Sequence, residues 1–340
     1  MPSQPESNGA VEPDTDRPLA AGVVGVGSMG ENHARIYEQL RDVELIGVAD
    51  LDEEAASAVA ESYGCRPMPR EALLDAADLV SVAVPTPVHA GVVGECIERG
   101  THVLVEKPFV DDLAEGRELV RRADEAGVTV QVGHVERFNP AIRELPRILS
   151  GLDVVAVDAH RLGPPVDDGR DLDRSVVRDL MIHDLDVVTN LLDANVTEID
   201  AYGSHDAGYV NAVGHLEGGV TASFTASRTT HRKVRRLGIT TRECRIEVDY
   251  ADRRIELHHQ SRPAYVAEDG DVRHRVESVV ERPMVQDDEP LRAELASFVD
   301  AATTGREPVV TAEDGLSALA LCRRIESLVE TPSEAEVNAS

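Results

Sequence analysis

Ala21-Gly22-Val23-Val24-Gly25-Val26-Gly27-Ser28-Met29-Gly30 is the stretch on which the fold turns. A short apolar run ends in GxGxxG, and a helical pattern over residues 31–40 follows it directly. Gly25 permits a tight turn, Gly27 lets backbone approach a pyrophosphate, and Gly30 allows helix and strand to pack closely. The helix that opens here, with Ser28 and Met29 at its start, offers unpaired N–H groups and the positive end of its dipole to phosphate. Asp50 follows the next apolar run, 43–49, and stands 20 residues beyond Gly30. There the dinucleotide fingerprint places the acid that accepts hydrogen bonds from the adenosine ribose. Its charge repels a 2′-phosphate, and no Arg lies within 51–56. NAD is therefore expected, with NADP the lesser alternative.

Outward from this motif, strand candidates at 21–26, 43–49, 79–84, 101–105 and 128–132 alternate with helical stretches near 31–40, 53–63, 70–76, 88–99 and 112–125. Gly64, Gly100 and Gly127 stand where helix C-caps are expected. Repeated β-α units of this kind give a doubly wound parallel sheet, a Rossmann domain over residues 18–132. Past residue 150 the rhythm changes. Strands are expected at 154–159, 198–202, 209–216, 220–227, 238–241, 245–250 and 254–258, with turns at Glu217-Gly218-Gly219 and Ala251-Asp252. One helix around 179–192 and two closing helices near 289–303 and 312–329 complete an α+β domain over 133–330, with a mostly antiparallel sheet. Residues 1–17 and 331–340 are expected as disordered tails.

Composition narrows the partners. The 340 residues carry 63 acidic and 34 basic side chains, a formal net charge of −29. That field repels nucleic acid and anionic lipid. No apolar run approaches the ~18–20 residues of a membrane span, and the first twenty residues show neither a basic n-region nor an apolar h-region. A cytoplasmic protein is expected. Cys65, Cys96, Cys244 and Cys322 are widely spaced and read as buried thiols. Only two basic residues are lysines, Lys107 and Lys233. Such acid enrichment points to a high-salt cytoplasm, where salt screens the self-repulsion.

Candidate chemistry lies at the carboxyl ends of the parallel strands, where ligands of open α/β sheets bind. Thr86 and His89 close one strand and are candidates to touch the cofactor; the alternative is a proline-stiffened turn. Glu106 and Lys107 close the next. A lysine at that end, in a chain with one other, suits an acid or base for a reacting hydroxyl. Asp179 and His183 are four residues apart, on one face of a helix, so the acid can orient the imidazole. No third ligand accompanies them, and no metal is expected.

Together the GxGxxG loop, Asp50, Glu106-Lys107-Pro108 and Asp179-x-x-x-His183 resemble the Gfo/Idh/MocA oxidoreductases. The resemblance spans about residues 19–330, including the helix opening at Glu289-Pro290-Leu291-Arg292-Ala293-Glu294-Leu295 and Glu313-Asp314-Gly315-Leu316. It implies an open-faced second sheet used for homodimers or homotetramers, and Lys107, Asp179 and His183 as catalytic residues. Gly133-His134-Val135-Glu136-Arg137-Phe138-Asn139-Pro140 and Met181-Ile182-His183-Asp184-Leu185-Asp186 are similar to the UDP-N-acetylglucosamine 3-dehydrogenase subgroup. Many members carry glycines around the catalytic Asp, and their lack here points away from the inositol dehydrogenases. The likeness makes His134, Arg137 and Asn139 substrate-side groups; the alternative is a loop capping the crossover between domains. The basic stretch Arg228-Thr229-Thr230-His231-Arg232-Lys233-Val234-Arg235-Arg236 is either a grip for the substrate diphosphate, with Arg235 in it, or a solvated or intersubunit patch. Asp184 and Asp186 read as helix-surface or supporting carboxylates. The implied activity is NAD-dependent oxidation of a sugar hydroxyl, at C3 of a nucleotide sugar such as UDP-GlcNAc. A polyol, inositol or free-sugar dehydrogenase is the alternative within the family, and a non-catalytic NAD-sensing protein the alternative outside it. Whether Lys107 or His183 is the primary base stays open.

Overall fold

The structure is a computed structural model and describes residues 17–165, 175–204, 207–259, 264–268, 271–275 and 279–330. The expected tails lie outside these residues except for Arg17, whose guanidinium donates to Asp78 at 2.8 Å.

The first half is built as β1 (Leu19–Val24), α1 (Ser28–Gln39), β2 (Val43–Ala49), α2 (Glu53–Ser62), β3 (Arg66–Pro67), α3 (Arg70–Ala76), β4 (Leu79–Val82), α4 (His89–Arg99), β5 (His102–Glu106), α5 (Leu113–Ala126) and β6 (Val130–Gly133). All six strands are parallel, in the order β3-β2-β1-β4-β5-β6. Strands covered on both faces must be apolar on both. Ala21, Val23, Leu79, Val80, Val82 and Val103 are accordingly sealed from solvent. Local signals set the helix ends. Asp112 accepts from Ala114 N and Glu115 N to start α5, while Gly127 (φ 67°) and Gly100 (φ 73°) end α5 and α4 in the left-handed conformation that favours glycine. Strand order reverses between β1 and β4, so the crevice opens at their carboxyl ends.

The second half adds α6 (Pro140–Leu149), β7 (Val154–Leu162), α7 (Ile182–Leu192), β8 (Val196–Gly203), β9 (Tyr209–Leu216), β10 (Thr221–Ser227), β11 (Val234–Thr241), β12 (Cys244–Asp249), β13 (Arg254–His259), β14 (Ala264–Glu268), β15 (Asp271–Arg275), β16 (Val279–Glu281), α8 (Pro290–Thr304) and α9 (Ala312–Glu330). Its main sheet runs β16-β13-β12-β11-β7-β10-β9-β8, antiparallel except for the β7/β10 pair. β9 and β10 turn through Gly218 and Gly219, both at positive φ. One face, with Val157, Ala159, Phe224, Leu237 and Ile246, packs on Ile182, Leu185, Cys322 and Ile325 from α7 and α9. The other face carries Asp158, His160, Arg236 and Glu247, half-buried or exposed.

Three expectations need correction. α6 was not expected, because prolines at 140 and 146 mask it; Pro140 opens the helix behind an Asn139 cap. The strand expected at 238–241 begins at Val234, so the end of the basic stretch lies on β11. α8 does not belong with the second domain: its Leu295, Phe298 and Val299 pack on Ala21, Val23, Ile36 and Tyr37. α9 serves both halves, Leu319 in the first core and Cys322 in the second. No helix among the described residues is long and apolar enough to cross a membrane. All four cysteines are free thiols, three buried and Cys65 half-buried.

Candidate active site

The glycine loop has the geometry that a dinucleotide requires. Gly25 sits at φ +90°, and a Cβ there would meet the Ala83 carbonyl oxygen at 2.6 Å. A Cβ on Gly30 would stand 1.8 Å from the Gly25 carbonyl oxygen, whereas Gly27 faces open space. Gly27 caps α1 with no side-chain hydrogen bond, and Ser28 and Met29 beside it are exposed. Asp50 accepts from Val26 N at 2.7 Å and from Asp52 N at 3.0 Å, which ties the loop to the end of β2. This cradle fits the pyrophosphate and ribose of NAD. Thr86, half-buried, opens a 3-10 turn (Thr86–Val88) beyond β4, at the carboxyl end of the strand beside β1. His89 is not a cofactor contact. Its buried ring lies between two carbonyl oxygens, Pro108 at 2.9 Å and Val84 at 2.8 Å, and so ties the end of β4 to the segment after Lys107.

Lys107 projects from the end of β5 toward a wide π turn, Val177–Met181, that precedes α7. Its Nζ donates to the Asp179 carbonyl oxygen at 2.8 Å and to Oδ1 at 2.9 Å. Arg228 Nη2 donates to Asp179 Oδ2 at 2.5 Å. Burial alone would raise the Asp179 carboxyl, but the two cations outweigh it and hold it down to about 2. The expected Asp179–His183 pair is therefore not formed. The wide turn alters the register between these residues, and cations from other elements take both oxygens. His183 is nevertheless close: burial first, then the charges of Lys107, Arg161 and Arg235, push its imidazole well below the usual value. Its Nδ1 is buried without a hydrogen-bond partner among the described residues.

The segment before α6 supports the site from behind. His134 is fully buried, so it is not a substrate contact; its ring meets His183 edge-on, centroids 6.5 Å apart and planes at 81°. Arg137 donates to both oxygens of Asp186 at 2.9 and 2.6 Å, to Asp314 at 3.0 Å and to the Val309 carbonyl at 3.2 Å. All its nitrogens are engaged, which removes it from the substrate side. Asn139 accepts from Ala141 N as the cap of α6 and donates to Glu136 and the Tyr250 carbonyl, and it also lines the cavity that Arg235 and Lys233 share. Asp184 and Asp186 are buried rather than on a helix surface, and Asp184 takes a two-pronged bond from Arg161. Buried polar groups generally find protein partners; Arg137, Asn139, Asp184 and Asp186 have theirs in the chain, whereas neither ring nitrogen of His134 has a hydrogen bond among the described residues. Glu106 faces His33 Nε2 at 3.2 Å; burial raises its carboxyl, and His33 with Lys107 brings it below the usual value.

The basic stretch divides. Arg228 reaches Asp179, a role that only its place in that stretch could have hinted at, and Arg236 turns to Asp249 at 3.6 Å. Among the described residues Arg235 donates only to the carbonyls of Leu162 and Val234. With Arg161, Lys233 and Tyr250 it lines a cavity of about 500 Å³, whose opposite wall includes Met29 and Asn32 of α1. Far from this cleft, ligand atoms of Glu247, Glu256 and His258 converge within 4.8 Å on the second sheet, but Arg282 already bonds Glu256 at 2.9 Å.

A dinucleotide loop at the switch point of a parallel sheet, with an ammonium and a neutral imidazole across the cleft, defines an NAD-dependent oxidoreductase. Residues 19–134 match the model of the oxidoreductase family with an NAD-binding Rossmann fold, and residues 153–251 that of the GFO/IDH/MocA C-terminal domain. The chain is 31% identical to a UDP-N-acetylglucosamine 3-dehydrogenase of Acidithiobacillus ferrooxidans, over 92% of this chain and 97% of that one. A solved structure of a UDP-N-acetylglucosamine 3-dehydrogenase from that organism superposes with a TM-score of 0.83 at 30% identity, over 92% and 97% of the two chains. An inositol 2-dehydrogenase of Rhodococcus jostii is 34% identical over 53% of this chain and 52% of its own. The protein belongs to the Gfo/Idh/MocA oxidoreductase family, as a dehydrogenase of sugar or polyol hydroxyls.

Proposed function

We propose that the protein oxidises the C3 hydroxyl of a nucleotide sugar, UDP-GlcNAc, with NAD. The observation that carries this choice over an uncharged polyol is the pair Lys233 and Arg235. In a chain of net charge −29, neither has a carboxylate partner among the described residues, yet Arg235 is half-buried in the cleft. Burial and the neighbouring Arg161 push the Arg235 guanidinium below its usual value. Two cations left unneutralised at a cleft suit an anion such as a diphosphate.

NAD, when bound, supplies the hydride acceptor. The chain's own groups handle the proton and the charge. His183, neutral at neutral pH, takes the hydroxyl proton on Nε2. Lys107 Nζ, held by the carbonyl and carboxylate of Asp179, faces the oxygen as its negative charge grows. Lys233 and Arg235 hold the diphosphate and so set which carbon meets the cofactor. Cytoplasmic action and a homodimer or homotetramer through the open face of the second sheet belong to the same proposal; light scattering reads the assembly. The decisive assay follows NADH formation at 340 nm with UDP-GlcNAc, free GlcNAc and myo-inositol. Turnover of UDP-GlcNAc, weakened mainly in KM by Arg235→Ala, is expected. Turnover of inositol without UDP-GlcNAc would overturn the assignment.

A further inference from the structure

We propose that Arg228 is a positioning residue for the oxidation, acting through Asp179 to fix the Lys107 ammonium. The inference rests on the reading of Lys107 as the charge beside the reacting oxygen. Three elements converge on one carboxylate: Lys107 from the end of β5, Asp179 from the wide turn before α7, and Arg228 from the residue after β10. All three side chains are largely buried, at 15%, 31% and 17% exposure.

The geometry assigns each contact a task. A lysine side chain is a flexible stem, so the place of Nζ is set by what holds it. Among the described residues that is Asp179, through both its main-chain oxygen and Oδ1. A carboxylate turns easily about its terminal torsion, because such torsions have broad wells. Arg228, holding Oδ2, blocks that rotation and keeps Oδ1 on the lysine. The pairing also sets the charge. Lys107 and Asp179 form one ion pair, and Arg228 adds a guanidinium to the same carboxylate, beside the substrate oxygen as it turns negative. Diphosphate binding falls instead to Arg235 and Lys233, which pair with no carboxylate among the described residues.

The chain's two lysines make the test direct. Protein labelled with 15N at lysine Nζ gives two ammonium resonances, assigned with Lys233→Arg. In the parent, Lys107 should show slow proton exchange with water, and in Arg228→Met exchange should be at least about 5-fold faster, since the bonds that protect it open more often. With whichever of UDP-GlcNAc and myo-inositol the parent oxidises, kcat should fall about 10–100-fold while KM stays within about 3-fold, the signature of an interaction felt in the transition state. Arg228→Lys, which keeps the charge, should recover part of both, and Arg228→Gln serves if the Met variant does not fold. A KM that rises at unchanged kcat, or a Lys107 resonance that ignores the substitution, would overturn the proposal. If the parent oxidises neither compound, the functional reading fails, and ammonium exchange alone still decides the role of Arg228.

Discussion

Alanine at Gly30 and alanine at Gly27 should fail in different ways. A Cβ on Gly30 would stand 1.8 Å from the Gly25 carbonyl oxygen, and no flexible side chain is there to give way. The start of α1 must move from the loop by more than about 1 Å, and overpacking of this kind costs roughly 1–3 kcal/mol, here at the upper end. At about 2–4 °C per kcal/mol for a chain of this size, the melting temperature should drop by roughly 5–12 °C. Gly27 presents the opposite case. Its backbone (φ −62°, ψ −176°) is open to alanine, and a Cβ there meets nothing within 4 Å. The NAD-free protein should lose less than about 1 kcal/mol, the difference between glycine and alanine as a helix cap. That open space is where backbone must approach the pyrophosphate. Filling it should weaken NAD binding about 10–100-fold, or roughly 1.4–2.7 kcal/mol. Scanning calorimetry without cofactor and titration calorimetry with NAD separate the two effects. A Gly27→Ala chain that binds NAD like the parent, or a Gly30→Ala chain that melts with it, would refute the reasoning and leave the loop a plain turn.

Four further outcomes follow from the structure. Lys107→Ala should lose about 10³-fold or more in turnover while NAD binding stays measurable, and near-normal turnover would remove Lys107 from the chemistry. Because the His183 imidazole lies well below its usual value and must be neutral to accept a proton, kcat/KM should rise through an acid limb below about pH 6.5 and be flat by neutrality; a limb centred higher contradicts the assignment. Glu294 is fully buried with neither carboxylate oxygen bonded among the described residues, and burial, then Glu106 and Asp186, push its carboxyl well above the usual range. The folded chain thus keeps a proton that the unfolded chain releases, so this contribution to stability is complete below the ordinary carboxylate range and is lost as pH rises toward the folded value. Glu294→Gln should flatten that decline and melt above the parent at pH 8 but not near pH 4; an unchanged slope in thermal melts would contradict it. Finally, the melting temperature should climb with added KCl, since salt screens the −29 charge, and no rise would count against the high-salt reading.

Much of the first half was legible because its signals are local. Parallel strands buried on both faces read as apolar runs, and Asp112, Gly100 and Gly127 mark helix ends by their own backbone chemistry. The helices of the second half were harder to place. α6 hides behind two prolines, and the apolar face of α8 announces that it must be covered without saying by which sheet.

The site divides along the same line. Gly25, Gly27, Gly30 and Asp50 could be read because their roles lie in the conformation of one short loop. Arg137, Asn139, His134 and Asp179 were read by side-chain type, and type says what a group can bond but not whether its partner is already in the chain. Arg137 meets Asp186 and Asp314, and Asp179 meets Lys107 and Arg228, all brought close only by the tertiary fold. That accounting also gives the basic stretch its meaning. With 63 acids for 34 bases, a partly buried cation that ends without a carboxylate is against the odds. Arg228 and Arg236 have found theirs, whereas Arg235 and Lys233 have none among the described residues. Those two line the cleft, and they are the support for the anionic substrate proposed above.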